Sequence, residues 1–149
     1  MPDTVMNILI HAHSGFRWIV LVLFIYAIAN AFNGKSSGRE YLKKDKMVNL
    51  FTMVSVHLML LVGLILLFTS GKVDFANMMA DSTRRFYALE HPVAMILATV
   101  LVTIGRRKAE NAKGTPDKFR NIIKWYTIAL ILILASIPWP FRIDGAGWA

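Results

Sequence analysis

Four apolar blocks, each long enough to cross a bilayer and joined by short polar connections, leave this chain few ways to fold. They span residues 8–32, 47–69, 86–104 and 122–141. A helix needs roughly 20 apolar residues to cross the hydrocarbon layer. A soluble domain with the same 56% hydrophobic content would spread it in periodic stripes. Backbone amides in lipid must bond within their own segment, which favours helices over open strands. The expected fold is all-α: one integral membrane four-helix bundle filling a single domain, 1–149. Pro92 and Pro138 fall near the ends of their blocks, where a missing N–H is tolerated. The first block is read as a permanent helix, because no Lys or Arg precedes it and it exceeds a signal-peptide core of about 7–15 residues.

The formal charge of +8 is placed unevenly. Lys35, Arg39, Lys43, Lys44 and Lys46 crowd the first connection, and Arg106, Arg107, Lys108, Lys113, Lys118, Arg120 and Lys124 the third. The middle connection has Lys72, Arg84 and Arg85, offset by Asp74, Asp81 and Glu90. Short basic loops stay on the cytoplasmic side. Both termini are therefore expected on the outer, periplasmic side of a bacterial inner membrane, with the lipid bilayer as the first partner. Nucleic acid is not expected, since no basic face is interleaved with aromatic residues. Residues 70–85 are expected to form a short helix or an anchored loop at the outer headgroups.

Into this oily frame the chain places His13, His57 and His91. A titratable ring in hydrocarbon is costly and is a functional-site candidate by default. Cysteine is absent, so thiolate zinc sites, iron–sulfur clusters and covalent haem attachment are excluded. His13 and His91 each follow the outer start of a helix and should lie at similar depth. His57 sits near mid-membrane. His11 points about 200° away from His13 and cannot share its target. Arg17 is one turn below His13 on the same face and needs an anion, either Glu90 or a bound group.

A haem b answers these features together. Iron takes axial imidazoles from facing helices, and propionates take Arg17, Arg84 or Arg85. Phe16, Trp18, Leu60, Leu61 and Met95 could wall the ring, and Gly63 would permit close approach. By depth, His13 pairs with His91; His57 with either one is the other pairing. Structural readings stand beside this one. His13 and Arg17 could cap the bundle as a polar cluster. His91–Pro92 could simply begin a helix. His57 could bond Thr52, Ser55 or a neighbouring helix. The Met residues form no Met-x-x-Met cluster for copper near the histidines and read as gap-filling.

The segments HAHSGFRW, VHLMLLVGLIL, RFYALEHPVAMILATVLVTIGR and SIPWPFR, taken in that order, resemble a family of small four-helix bacterial membrane proteins often labelled cytochrome b-like. The resemblance implies a b-type haem in the cytoplasmic membrane. It carries His13, His57 and His91 over as motif histidines, and Arg17 and Arg142 as motif arginines. The fourth block lacks histidine, which argues against two bis-histidine haems. The function expected is electron transfer, between a quinol and a respiratory or periplasmic partner, rather than stand-alone catalysis. The alternatives are an accessory or assembly subunit of a larger membrane complex, told apart by co-purification, and a small metal or proton carrier.

Overall fold

The computed structural model describes residues 3–71, 73–143 and 148; Lys72 lies outside them. Four helices follow in order: α1 (Asp3–Ser36), α2 (Lys43–Thr69), α3 (Ser82–Asn111) and α4 (Thr115–Ser136). No strand occurs among the described residues. All four helices are long and apolar enough to cross a membrane, as in a multi-pass membrane protein. α1 packs on α2 and α4, and α3 packs on the same two, so the helices close a ring in chain order. Short connections make consecutive helices antiparallel. One end of the bundle carries the start of α1 and the end of α4, and the other carries the two basic connections. They are called the terminal end and the basic end below.

The helices run past the apolar blocks wherever capping chemistry allows. α1 starts at Asp3, a carboxylate placed against the positive end of the helix. α3 starts at Ser82, where the Asp81 carboxylate accepts the Arg84 N–H at 2.8 Å. α4 starts at Thr115 with Pro116 in its first turn. It also stops at Ser136, short of the expected 141. Pro138 disfavours helical backbone at Ile137, whose ψ is 136°. The middle connection forms a turn: the Asn77 backbone and side-chain amides both donate to the Asp74 carboxylate, holding it below its usual range. Helix resumes only at Ser82.

Lipid is as apolar as leucine, so helix association here depends on close packing rather than on escape from water. The buried face of α1 reads Arg17, Val20, Leu21, Phe24, Ala27, Ala31 and Gly34, a spacing of three and four. Small residues bring the backbones together. A Cβ at Gly34 would overlap the Phe119 ring, and one at Gly105 would overlap Cβ of Trp125. Phe24 and Tyr126 meet edge to face with centroids 5.7 Å apart.

The basic end is also tied by polar contacts. Asp45 is 1% exposed and accepts from both Arg39 Nη atoms at 2.8 Å, from Asn30 Nδ2 at 2.6 Å and from the Leu42 N–H at 2.8 Å. Tyr41 donates to Glu110 of α3 and accepts from Asn49 of α2, and Tyr126 of α4 donates to the Asn49 carbonyl. Burial pushes the Tyr41 hydroxyl up.

Candidate functional site

At the terminal end the ring of helices does not close on itself. A cavity of about 340 Å³ opens between them. This lies within the range of small-molecule sites, roughly 300–1,000 Å³. Its walls are mostly apolar: Val20 from α1, Val56, Met59, Leu60 and Leu64 from α2, Met95 and Ala98 from α3, Ile133 from α4. The polar groups that converge on it are few. They are His13, Ser14 and Arg17 from α1, Tyr87, His91 and Thr99 from α3, and Ser70 just after α2.

His13 and His91 come together here. Their ring centroids are 6.4 Å apart and their planes cross at 84°. The depth argument therefore leads to a real juxtaposition. Two imidazoles bound to opposite sides of one metal, each at about 2.0 Å, would hold their ring centres about 6 Å apart. The spacing fits such a pair. The state of the nitrogens fits as well. His13 Nδ1 is buried with no hydrogen-bond partner among the described residues. His91 Nδ1 lies 2.6 Å from the Ser136 carbonyl, which can only accept, so Nδ1 donates and Nε2 keeps a free lone pair. Such a bond from the far nitrogen to a carbonyl is the usual way a ligating histidine is oriented.

Two local devices place these rings. The first is a π-helical turn over Phe86–Glu90 within α3, where the His91 N–H bonds the Phe86 carbonyl. It directly precedes Pro92, which has no N–H to bond Ala88, so the ladder can change register without losing a further bond. The turn also puts Phe86 beside the His91 ring, with centroids 5.9 Å apart. The second device is the sequence SIPWPFR. Pro138 and Pro140 cannot donate to the carbonyls of Leu134 and Ser136, and the Trp139 N–H turns to Ile137. Three carbonyls at the end of α4 are thereby released to side chains. Leu134 accepts from Trp139 Nε1 at 2.9 Å, Ala135 accepts from Arg142, and Ser136 accepts from His91. Arg142 also lies over the Phe86 ring, 5.4 Å from its centroid. The sequence reading missed the part Ser136 plays. Its signal was two prolines one residue apart, which predict acceptors in need of donors.

On α1, Gly63 of α2 faces His13: a Cβ there would lie 3.1 Å from Cε1 of the ring. Arg17 is buried at 8% exposure. One Nη donates to the Trp148 carbonyl at 2.6 Å, and the guanidinium carbon lies 5.5 Å from the Trp18 ring centre and 5.9 Å from that of Trp139.

Other expected members lie elsewhere. His57 is exposed on the outside of the bundle, one residue and so about 100° around the helix from the cavity-lining Val56. Its Nδ1 bonds the Met53 carbonyl at 2.8 Å and its Nε2 lies 3.4 Å from Thr103 Oγ1 of α3, not near Thr52 or Ser55. It joins neither ring at the cavity. His11 is exposed. Glu90 does not answer Arg17, because Arg85 takes it at 2.7 Å. Arg84 pairs with Asp74 and Asp81, so neither arginine of that pair faces the cavity. Leu60 and Met95 form walls as expected, while Leu61 is 56% exposed and Trp18 joins a surface aromatic cluster with Trp139. No group of three or more His, Asp or Glu side chains suited to a metal ion occurs among the described residues.

Comparison with models of protein families, with curated proteins and with solved structures gives no match to this chain.

Proposed function

We propose that this chain is a multi-pass b-type haem protein of the bacterial cytoplasmic membrane that carries electrons, with His13 and His91 as the two ligands to iron. The observation that carries the reading is their pairing: two imidazoles from different helices, 6.4 Å apart, at an apolar cavity. The number of donors favours a haem over a bare ion. Structural zinc takes four protein ligands and catalytic zinc three. A haem would ask this chain for only one or two side-chain ligands, a number His13 and His91 could meet.

A haem bound between these rings supplies reversible one-electron exchange. The chain supplies the setting. The Ser136 carbonyl holds the His91 proton on Nδ1, which fixes the ring and increases the donor strength of Nε2. The apolar walls keep water away, and so bear on the potential. Gly63 leaves space for the His13 ring against α2. With the basic connections in the cytoplasm, the site lies in the outer half of the bilayer. From there electrons can pass between a membrane quinol and a respiratory or periplasmic partner. The cytochrome b-like resemblance of the four quoted segments points the same way.

The test is a reduced-minus-oxidised spectrum of detergent-purified protein from haem-replete cells. The wild type and His57→Ala should show a low-spin b-type signature. His13→Ala and His91→Ala should each lose it. A colourless wild type that takes up no added haemin rejects the reading, and a signature lost only in His57→Ala rejects the assigned pair.

A further inference from the structure

Arg17 is the only charged side chain on the cavity wall among the described residues. It is buried, and no carboxylate lies within ion-pair distance of it among those residues. Its Nε is buried without a partner among the described residues. The Trp148 carbonyl takes one Nη proton, but a carbonyl is a dipole and cannot neutralise a cation. The carboxylate expected to answer it, Glu90, is taken by Arg85. A buried guanidinium held among tryptophan faces, with no anion among the described residues, is expensive to keep. Tryptophan faces orient the guanidinium plane and leave its edge to donate. Four residues separate Arg17 from His13, so both side chains serve one face of α1 and one cavity.

We infer that Arg17 is the seat for the anionic end of an amphiphile whose apolar body fills the cavity. The group recognised is a carboxylate or a phosphate, accepting from the guanidinium edge that includes Nε. Two sources share that chemistry. One is a haem propionate, and to that extent the inference rests on the proposed function. The other is the phosphate of an anionic phospholipid with an acyl chain in the cavity. Ser14, on the same wall, supplies a further hydroxyl donor.

The experiment uses the full chain in detergent and has two arms. In the first, haemin and haemin dimethyl ester, which lacks both propionate charges, are titrated and followed by absorbance. The ester should bind the wild type roughly tenfold or more weakly, the loss expected for a hydrogen-bonded charge. Arg17→Gln should bring haemin down to the level of the ester, and Arg17→Lys should restore part of the gap. In the second, wild type and Arg17→Gln are taken from mixed phosphatidylglycerol–phosphatidylcholine nanodiscs into native mass spectrometry. Retention of phosphatidylglycerol by the wild type and its loss in Arg17→Gln assigns the seat to a lipid phosphate. If haemin does not bind at all, the haem reading fails while this arm still decides the seat. Equal binding of haemin and its ester, together with no selective retention of phosphatidylglycerol, overturns the inference. Both of those measurements can be made on the wild type alone, should a variant fail to fold.

Discussion

The two ends of this bundle solve the problem of polar groups in an apolar setting in opposite ways. At the basic end several buried polar side chains answer one another. Asp45 collects four donors, and Tyr41, Asn49, Glu110 and Tyr126 tie three helices together. Asn49 Oδ1 and Arg106 Nε have no partner there among the described residues, but a pocket at that end measures only about 50 Å³. At the terminal end, His13 Nδ1 and Arg17 Nε lack partners among the described residues, and both residues line a cavity of about 340 Å³. An orphaned buried polar atom costs free energy wherever it sits. Next to open space, it can take a group from outside, as the proposed function requires. The difference is between an end that closes on its own polar groups and an end that leaves a cavity beside them.

That division can be broken by substitution. The largest effect should come from Asp45→Ala, which strands Arg39, Asn30 and the Leu42 N–H at once. Loss of one partner from a buried ion pair costs about 3–5 kcal/mol, less here because Arg39 is 31% exposed, so about 2–3 kcal/mol is expected in a detergent unfolding titration. On the proposed function, the haem signature per folded molecule should be unchanged. A signature lost from the folded fraction would mean the two ends are coupled. Next comes Gly105→Leu, which forces α3 and α4 apart at Trp125. Overpacking of this kind costs about 1–3 kcal/mol, and a neutral result would show that this crossing is looser than its geometry. The smallest effect belongs to His57→Leu. This ring faces outward and bonds chiefly its own helix, so stability should move by no more than about 0.5 kcal/mol. A large change in melting temperature or in the spectrum would place His57 in an interface or a site on the outer face of α2.

Much of this architecture was legible in the chain. Block length and loop brevity are enough to specify four antiparallel helices, because lipid forbids unsatisfied backbone. Depth was legible too: counting residues from each helix start put His13 level with His91, and their rings are neighbours. Facing was harder. His57 lies deep in an apolar run, which drew attention to it, yet a run apolar on every side gives no stripe from which to read the inward direction. Arg17 was recognised as needing an anion, but the rivalry for Glu90 depended on Arg85, a neighbour brought near by helical register. The end of α4 was hidden because SIPWPF continues the hydropathy of the helix while its prolines end the hydrogen-bond ladder.

The sequence by itself determined the number of spans, their order and the approximate level of each imidazole, since hydropathy and helical rise are local properties. The tertiary structure alone decided which polar groups meet. Partnership of Ser136 with His91, and the placing of Arg17 on an open cavity and of Glu90 with Arg85, depends on helix rotation and on which backbone acceptors are left over. Those quantities are set by packing between segments far apart in the chain.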